Sequence, residues 1–110
     1  MSYVKTRTYL GKALNINNGQ ITASEDLVID CDYTGSEINA GTNTVVVGLN
    51  CTVNANITAG VVEVIGTYNG NINASHSIYM ANTAVVNGNV QAPLIRIEKH
   101  TRFQGQITYI

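Results

Sequence analysis

The stretch YNGNINAS, Tyr68 to Ser75, is followed eighteen residues on by VNGNVQAP, Val86 to Pro93. Asn-Gly between apolar runs is a strong signal for a two-residue hairpin turn. Here, though, each Asn-Gly runs directly into Asn, a β-branched residue, a polar residue and Ala, and related patterns recur along the chain. Whether this is a turn or one tooth of a repeat decides the fold.

Taking the β-branched residue as an anchor gives Ile21, Ile38, Ile57, Ile72, Val90 and Ile107, at steps of 17, 19, 15, 18 and 17 residues. Two residues after them stand Ala23, Ala40, Ala59, Ala74 and Ala92, with Tyr109 in the last copy. Two before them stand Gly19, Ser36, Ala55, Gly70, Gly88 and Gly105, and four before the last four stand Val53, Tyr68, Val86 and Phe103. Tyr33 fills that row in the second copy, displaced by one inserted residue beside Gly35. The alternate positions are polar, as in Asn69, Asn71, Asn73 and Asn87, Asn89, Gln91. Apolar or small residues at period two describe a half-buried strand. A second strand lies between anchors, in Leu27–Ile29, Val45–Val47, Val62–Val64, Ile78–Met80 and Ile95–Ile97. Asn-Gly therefore lies inside a strand or at its corner and is not a hairpin.

Self-similarity at this period marks a solenoid. The chain is expected to be an all-β, single-domain parallel β-helix of about six coils, roughly triangular in section, with residues 1–10 as a short flexible segment and 11–110 as the helix. Stacking at ~4.8 Å per coil makes a rod roughly 30 Å long. Right-handed winding follows the crossover preference of parallel strands. The uneven steps argue against a left-handed helix built on strict hexapeptides. Stacking also accounts for the composition: only 12% of residues are charged, and between Ile38 and Ile95 the one carboxylate is Glu63, with no Lys or Arg. Like charges stacked on adjacent strands repel, whereas Asn and Gln form amide ladders.

The 110 residues suffice for one domain, and a net charge of −1 gives no electrostatic footprint for nucleic acid. No apolar run is long enough for a membrane span or a signal-peptide core, so a cytoplasmic protein is expected.

On these residues the chain resembles the bactofilins, a bacterial polymer-forming cytoskeletal family. The resemblance is carried by Glu25-Asp-Leu-Val-Ile-Asp30 and the repeated Gly-x-Ile-x-Ala. It continues through Asn87-Gly-Asn-Val-Gln-Ala-Pro93, Leu94-Ile-Arg-Ile-Glu98 and Thr101-Arg-Phe-Gln-Gly105. It covers roughly residues 10 to 110 and implies a right-handed triangular β-helix that polymerises end to end without nucleotide.

Candidate sites divide accordingly. The sequence closes at Ile110 without a polar cap, so Phe103, Ile107, Tyr109 and Ile110 are expected to form an apolar end and a polymerisation interface. The resemblance assigns subunit contact to this last coil and to Phe103 within it. Tyr3, Val4, Lys5 and Arg7 combine apolar and cationic side chains as a candidate membrane contact, and the resemblance supports that role. The expected partner is thus a further copy of the chain; a membrane surface is the candidate second partner, against the alternative of a frayed, solvated terminus. No cofactor or metal is expected, and no enzymatic activity. His76 and His100 lie on different coils without a neighbouring ligand set. Asp26, Asp30, Asp32 and Glu37 cluster in the first two coils, which leaves a carbohydrate-directed β-helix as the alternative reading. With no Trp and no long loops to form a sugar cleft, a solvated face is expected instead. Cys31 and Cys51 are expected as stacked, buried, reduced thiols acting as small hydrophobes.

Overall fold

The computed structural model of the chain describes residues 7–9, 15–17, 20–23, 25–30 and 32–110, with side chains from Gln20 onward. Among these residues there are fourteen strands and no helix. The first seven are β1 (Arg7–Tyr9), β2 (Asn15–Asn17), β3 (Gln20–Thr22), β4 (Asp26–Ile29), β5 (Tyr33–Asn39), β6 (Thr44–Val47) and β7 (Thr52–Val64). The rest are β8 (Thr67–Asn69), β9 (Ile72–Met80), β10 (Val85–Asn87), β11 (Val90–Ala92), β12 (Leu94–Ile97), β13 (Arg102–Gln104) and β14 (Ile107–Tyr109).

These strands stack in parallel into three faces that the chain visits in turn. On the anchor face the register is Ile21–Ile38–Ile57–Ile72–Val90–Ile107, each residue opposite the next. On the valine face it is Leu27–Val45–Val62–Ile78–Ile95. On the aromatic face it is Tyr33–Val53–Tyr68–Val86–Phe103. The rows inferred from sequence are thus the rows of a β-solenoid. Six anchors bound five intervals, so the solenoid has about five turns where about six were expected. Before Ile21 the anchor face ends differently: β2 pairs with β3 antiparallel, Ile16 opposite Ile21. β1 pairs parallel with β4, so Arg7–Tyr9 already adds a strand to the valine face.

The core fills the space between the faces. Inward rows of Ile, Val, Leu and Met meet the small Ala row, and the cluster runs from Ile21 to Ile95 with Tyr33 and Phe103 packed against it. Each fully buried Val or Ile contributes about 1.5–3 kcal/mol against exposure. The extra residue beside Gly35 is absorbed as a bulge, because the β5–β7 register shifts between Thr34 and Glu37.

Asn69-Gly70, Asn87-Gly88 and Gln104-Gly105 turn the corner from the aromatic to the anchor face. Gly70, Gly88 and Gly105 all have φ of +142° to +145°. A Cβ on Gly88 would lie 1.8 Å from the Gly70 carbonyl oxygen, so the coils could not close with any other residue there.

Candidate assembly surfaces

The last coil differs from those beneath it because no described strand stacks on it. At the anchor row, Ile107 is 37% exposed, although Ile38, Ile57, Ile72 and Val90 are all buried. At the alanine row Tyr109 replaces a methyl group and is 64% exposed. Ile110 is exposed, and Phe103 is half-buried against the core. The free edges of β13 and β14 adjoin these side chains, each strand pairing on one side only. All four residues expected at the apolar end therefore lie on one coil. Ile97 joins them and was not foreseen: it continues the inward row Ile29–Val47–Val64–Met80 and is 40% exposed, with no described strand stacked on it. Its position in register carried that signal.

The polar rows are two kinds of ladder. Outside the aromatic face the amide Nδ2 of Asn69 donates to Asn54 Oδ1, and that of Asn87 to Asn69 Oδ1, both at 2.9 Å. Outside the anchor face the side chains serve the backbone instead. Oδ1 of Asn56, Asn71 and Asn89 accepts the N–H of Asn71, Asn89 and Gln106 at 3.0, 3.1 and 3.2 Å. Asn56, Asn71 and Asn89, with Glu37, Thr58 and Gln91, line an open groove of about 420 Å³.

The acidic cluster is put to structural use. Asp26 Oδ1 accepts the N–H of Thr44 at 2.8 Å and Asp32 Oδ1 that of Thr52 at 2.9 Å, each bridging to the following coil. Asp30 is exposed and Glu37 stands at the groove's edge. His76 and His100 are both exposed, His76 beside the hydroxyl of Ser77 at 3.1 Å and His100 at a corner with φ +74°. Among the described residues no three His, Cys, Asp or Glu side chains gather as metal ligands. Cys51 is buried; Cys31 lies outside the described residues, so the stacked thiol pair does too. Tyr3, Val4 and Lys5 also lie outside them, as does the side chain of Arg7.

Two ionisable groups stand out, one buried and one partly so. The Tyr68 hydroxyl donates within the core, between the carbonyl oxygens of Ala55 and Asn71, and burial pushes its pKa far above the ordinary phenol range. Glu63 faces outward from the valine face but is partly desolvated, which raises its carboxyl pKa.

A family model for bactofilins, described as polymer-forming cytoskeletal, matches residues 8–108. The chain belongs to the bactofilin family. The match runs from within β1 to within β14 and agrees with the residues that suggested it. No curated protein and no solved structure gives a significant match to this bactofilin. Membership makes the chain a cytoskeletal, polymer-forming protein, and the site that bears on this role is a surface for self-association. No helix among the described residues is long and apolar enough to cross a membrane.

Proposed function

We propose that this bactofilin assembles end to end into filaments through its last coil, without nucleotide or metal. One observation carries the reading: side chains in rows buried at every earlier coil are exposed at Ile97, Ile107 and Tyr109, beside open strand edges. A contact there continues the stacking that holds the solenoid together. It buries the remaining apolar surface and supplies partners for backbone groups of an unpaired edge. Phe103, Ile107, Tyr109 and Ile110 form the contact with Ile97. Because the interface is backbone edge and apolar side chain, neither nucleotide nor cation takes part in it.

The filament is cytoplasmic and reaches the membrane through Tyr3, Val4, Lys5 and Arg7. Two cations and two apolar side chains bind weakly on their own, and repetition along a filament multiplies that affinity. The test of assembly is negative-stain microscopy and ultracentrifugation of protein exchanged into EDTA buffer free of nucleotide. Filaments are expected; a monomer that does not change with concentration would overturn the reading. Co-sedimentation with anionic vesicles, with and without residues 1–6, tests the membrane contact: loss of binding on deletion is expected, and unchanged binding refutes it.

A further inference from the structure

The three outer faces are chemically unequal. The anchor and aromatic faces present chiefly Asn, Gln and Thr, with Glu37 on the first and Val85 and Arg102 on the second, whereas the valine face presents apolar groups and its own pattern of charge. Val28 and Val46 point outward there and are nonetheless buried, so the open part of the face begins at Glu63. From that point two neighbouring rows run outward along the last three coils. One is Glu63–Tyr79–Arg96 and the other Val61–Ser77–Leu94. Leu94 is 61% exposed, the largest apolar exposure outside the terminal coil's own interior rows and chain end. Among the described residues the one ion pair is Arg96 Nε to Glu98 Oε2 at 3.1 Å, which leaves the terminal guanidinium nitrogens facing solvent. Glu63 has no such partner among the described residues, although its carboxyl is partly desolvated.

We propose that this face pairs laterally with the same face of a second, antiparallel copy of the chain, Glu63 of each meeting Arg96 of the other. The geometry is self-complementary. A two-fold axis lying between the faces, level with the rung of Tyr79 and Ser77 and directed along the strands, reverses the order of coils but keeps each row opposite itself. Glu63 and Arg96 stand one rung either side of Tyr79, about 4.8 Å each way, so the axis brings two reciprocal ion pairs together. The same operation sets the two Tyr79 side chains against one another and places each Leu94 over the other copy's Val61. A parallel arrangement with matching rungs offers no such exchange, because Glu63 would then lie level with Glu63 and Arg96 with Arg96. The pairing is isologous, and the charge pattern fixes its register and direction.

The contact is small. Six residues per copy fall well short of the roughly 20–30 per side of a stable interface, so two isolated rods associate weakly. In a filament it repeats with every subunit that faces the same way, and many weak contacts hold two filaments side by side. In that respect the proposal rests on end-to-end assembly, and it assigns to the same polymer a lateral partner and a direction.

A charge swap tests it with two variants, Glu63→Arg and Arg96→Glu. Low-speed pelleting collects bundles and high-speed pelleting collects single filaments, with negative-stain widths as a check. Each variant alone places like charges in both pairs, and bundles are expected to fall at least tenfold while filaments persist. Mixing preformed filaments of the two variants makes both pairs opposite again, and bundles should return to the wild-type level. Single variants that bundle as the wild type does would overturn the proposal, as would a mixture that stays dispersed. A wild-type chain without filaments would defeat end-to-end assembly alone. Sedimentation velocity would then follow the same contact as a dimer at high concentration. Dimers lost in each variant and regained in the mixture would sustain it, and a strict monomer would overturn it.

Discussion

Replacing Ile72 with Asp would place a carboxyl group in the middle of the anchor row, between Ile57 and Val90, where the native side chain is buried. Losing the isoleucine costs about 2–5 kcal/mol in transfer and cavity terms, by analogy with large-to-small core substitutions. Burying the carboxylate without a partner adds several kcal/mol more. Together these approach the ~5–15 kcal/mol that holds a small domain folded, so the variant is expected to be largely unfolded at neutral pH. The contrast is Asn71→Ser, one residue earlier and pointing out. It removes the oxygen that accepts the Asn89 N–H at 3.1 Å, an exposed bond that water can replace. Its cost is about 0.5–1.5 kcal/mol, a melting point lower by a few degrees. The pH dependence carries its own sign. An Asp whose folded pKa is raised above its unfolded value favours the fold below about pH 3.9 and loses that support as pH rises. Ile72→Asp should therefore regain structure in acid relative to neutral buffer. Thermal melts followed by far-UV circular dichroism at pH 4 and pH 7 measure both effects. Equal losses in the two variants, or an Ile72→Asp melt indifferent to pH, would refute the assignment of inward and outward rows.

Three further outcomes are expected. Far-UV circular dichroism of the native chain should show β-structure without a helical band, and a clear helical signal would contradict the solenoid. Gly88→Ala should destabilise far more than Gly41→Ala in thermal melts. Both have positive φ, but a Cβ at Gly41 meets nothing within 4 Å while one at Gly88 meets a carbonyl oxygen; equal shifts would refute the close stacking at that corner. Glu63→Gln should alter the pH profile of melting: with a folded pKa raised above 4.5, the native carboxyl supports the fold below that pH and loses the support as pH rises. The wild type should therefore lose stability relative to the Gln variant between pH 4 and 7, and parallel profiles would show that Glu63 is fully solvated.

Most of the fold was legible because a solenoid repeats its register in its sequence. The anchors found by spacing are the residues that stack, and even the insertion beside Gly35 appears where the row was broken. Turn number was less legible, since a repeat count counts rows rather than the complete turns between them. The antiparallel β2 was not foreseen because it lies outside the repeat and follows no row. At the apolar end Ile97 lay hidden for the opposite reason: an inward isoleucine reads as core, and only the register shows that no described strand stacks on β12 to cover it. Asp26 and Asp32 read as a solvated acidic cluster because hydrogen bonds to a backbone N–H eighteen or twenty residues away leave no trace in local sequence. The charge pattern of the valine face was hidden likewise, since Glu63 and Arg96 become neighbours only through the stacking of coils.

The central claim is that this bactofilin polymerises through its last coil, and Phe103→Arg tests it most directly. An arginine at a free solenoid end reaches solvent, whereas apposed ends would bring charge into a desolvated contact. Ultracentrifugal pelleting and thermal melting should be measured on the same preparations of native and variant protein, in EDTA and without nucleotide. The account predicts filaments from the native chain, none from the variant, and a melting transition and β spectrum close to those of the unassembled native fold. Filaments of unchanged yield from Phe103→Arg would contradict it, and so would a variant that fails to assemble because it no longer folds.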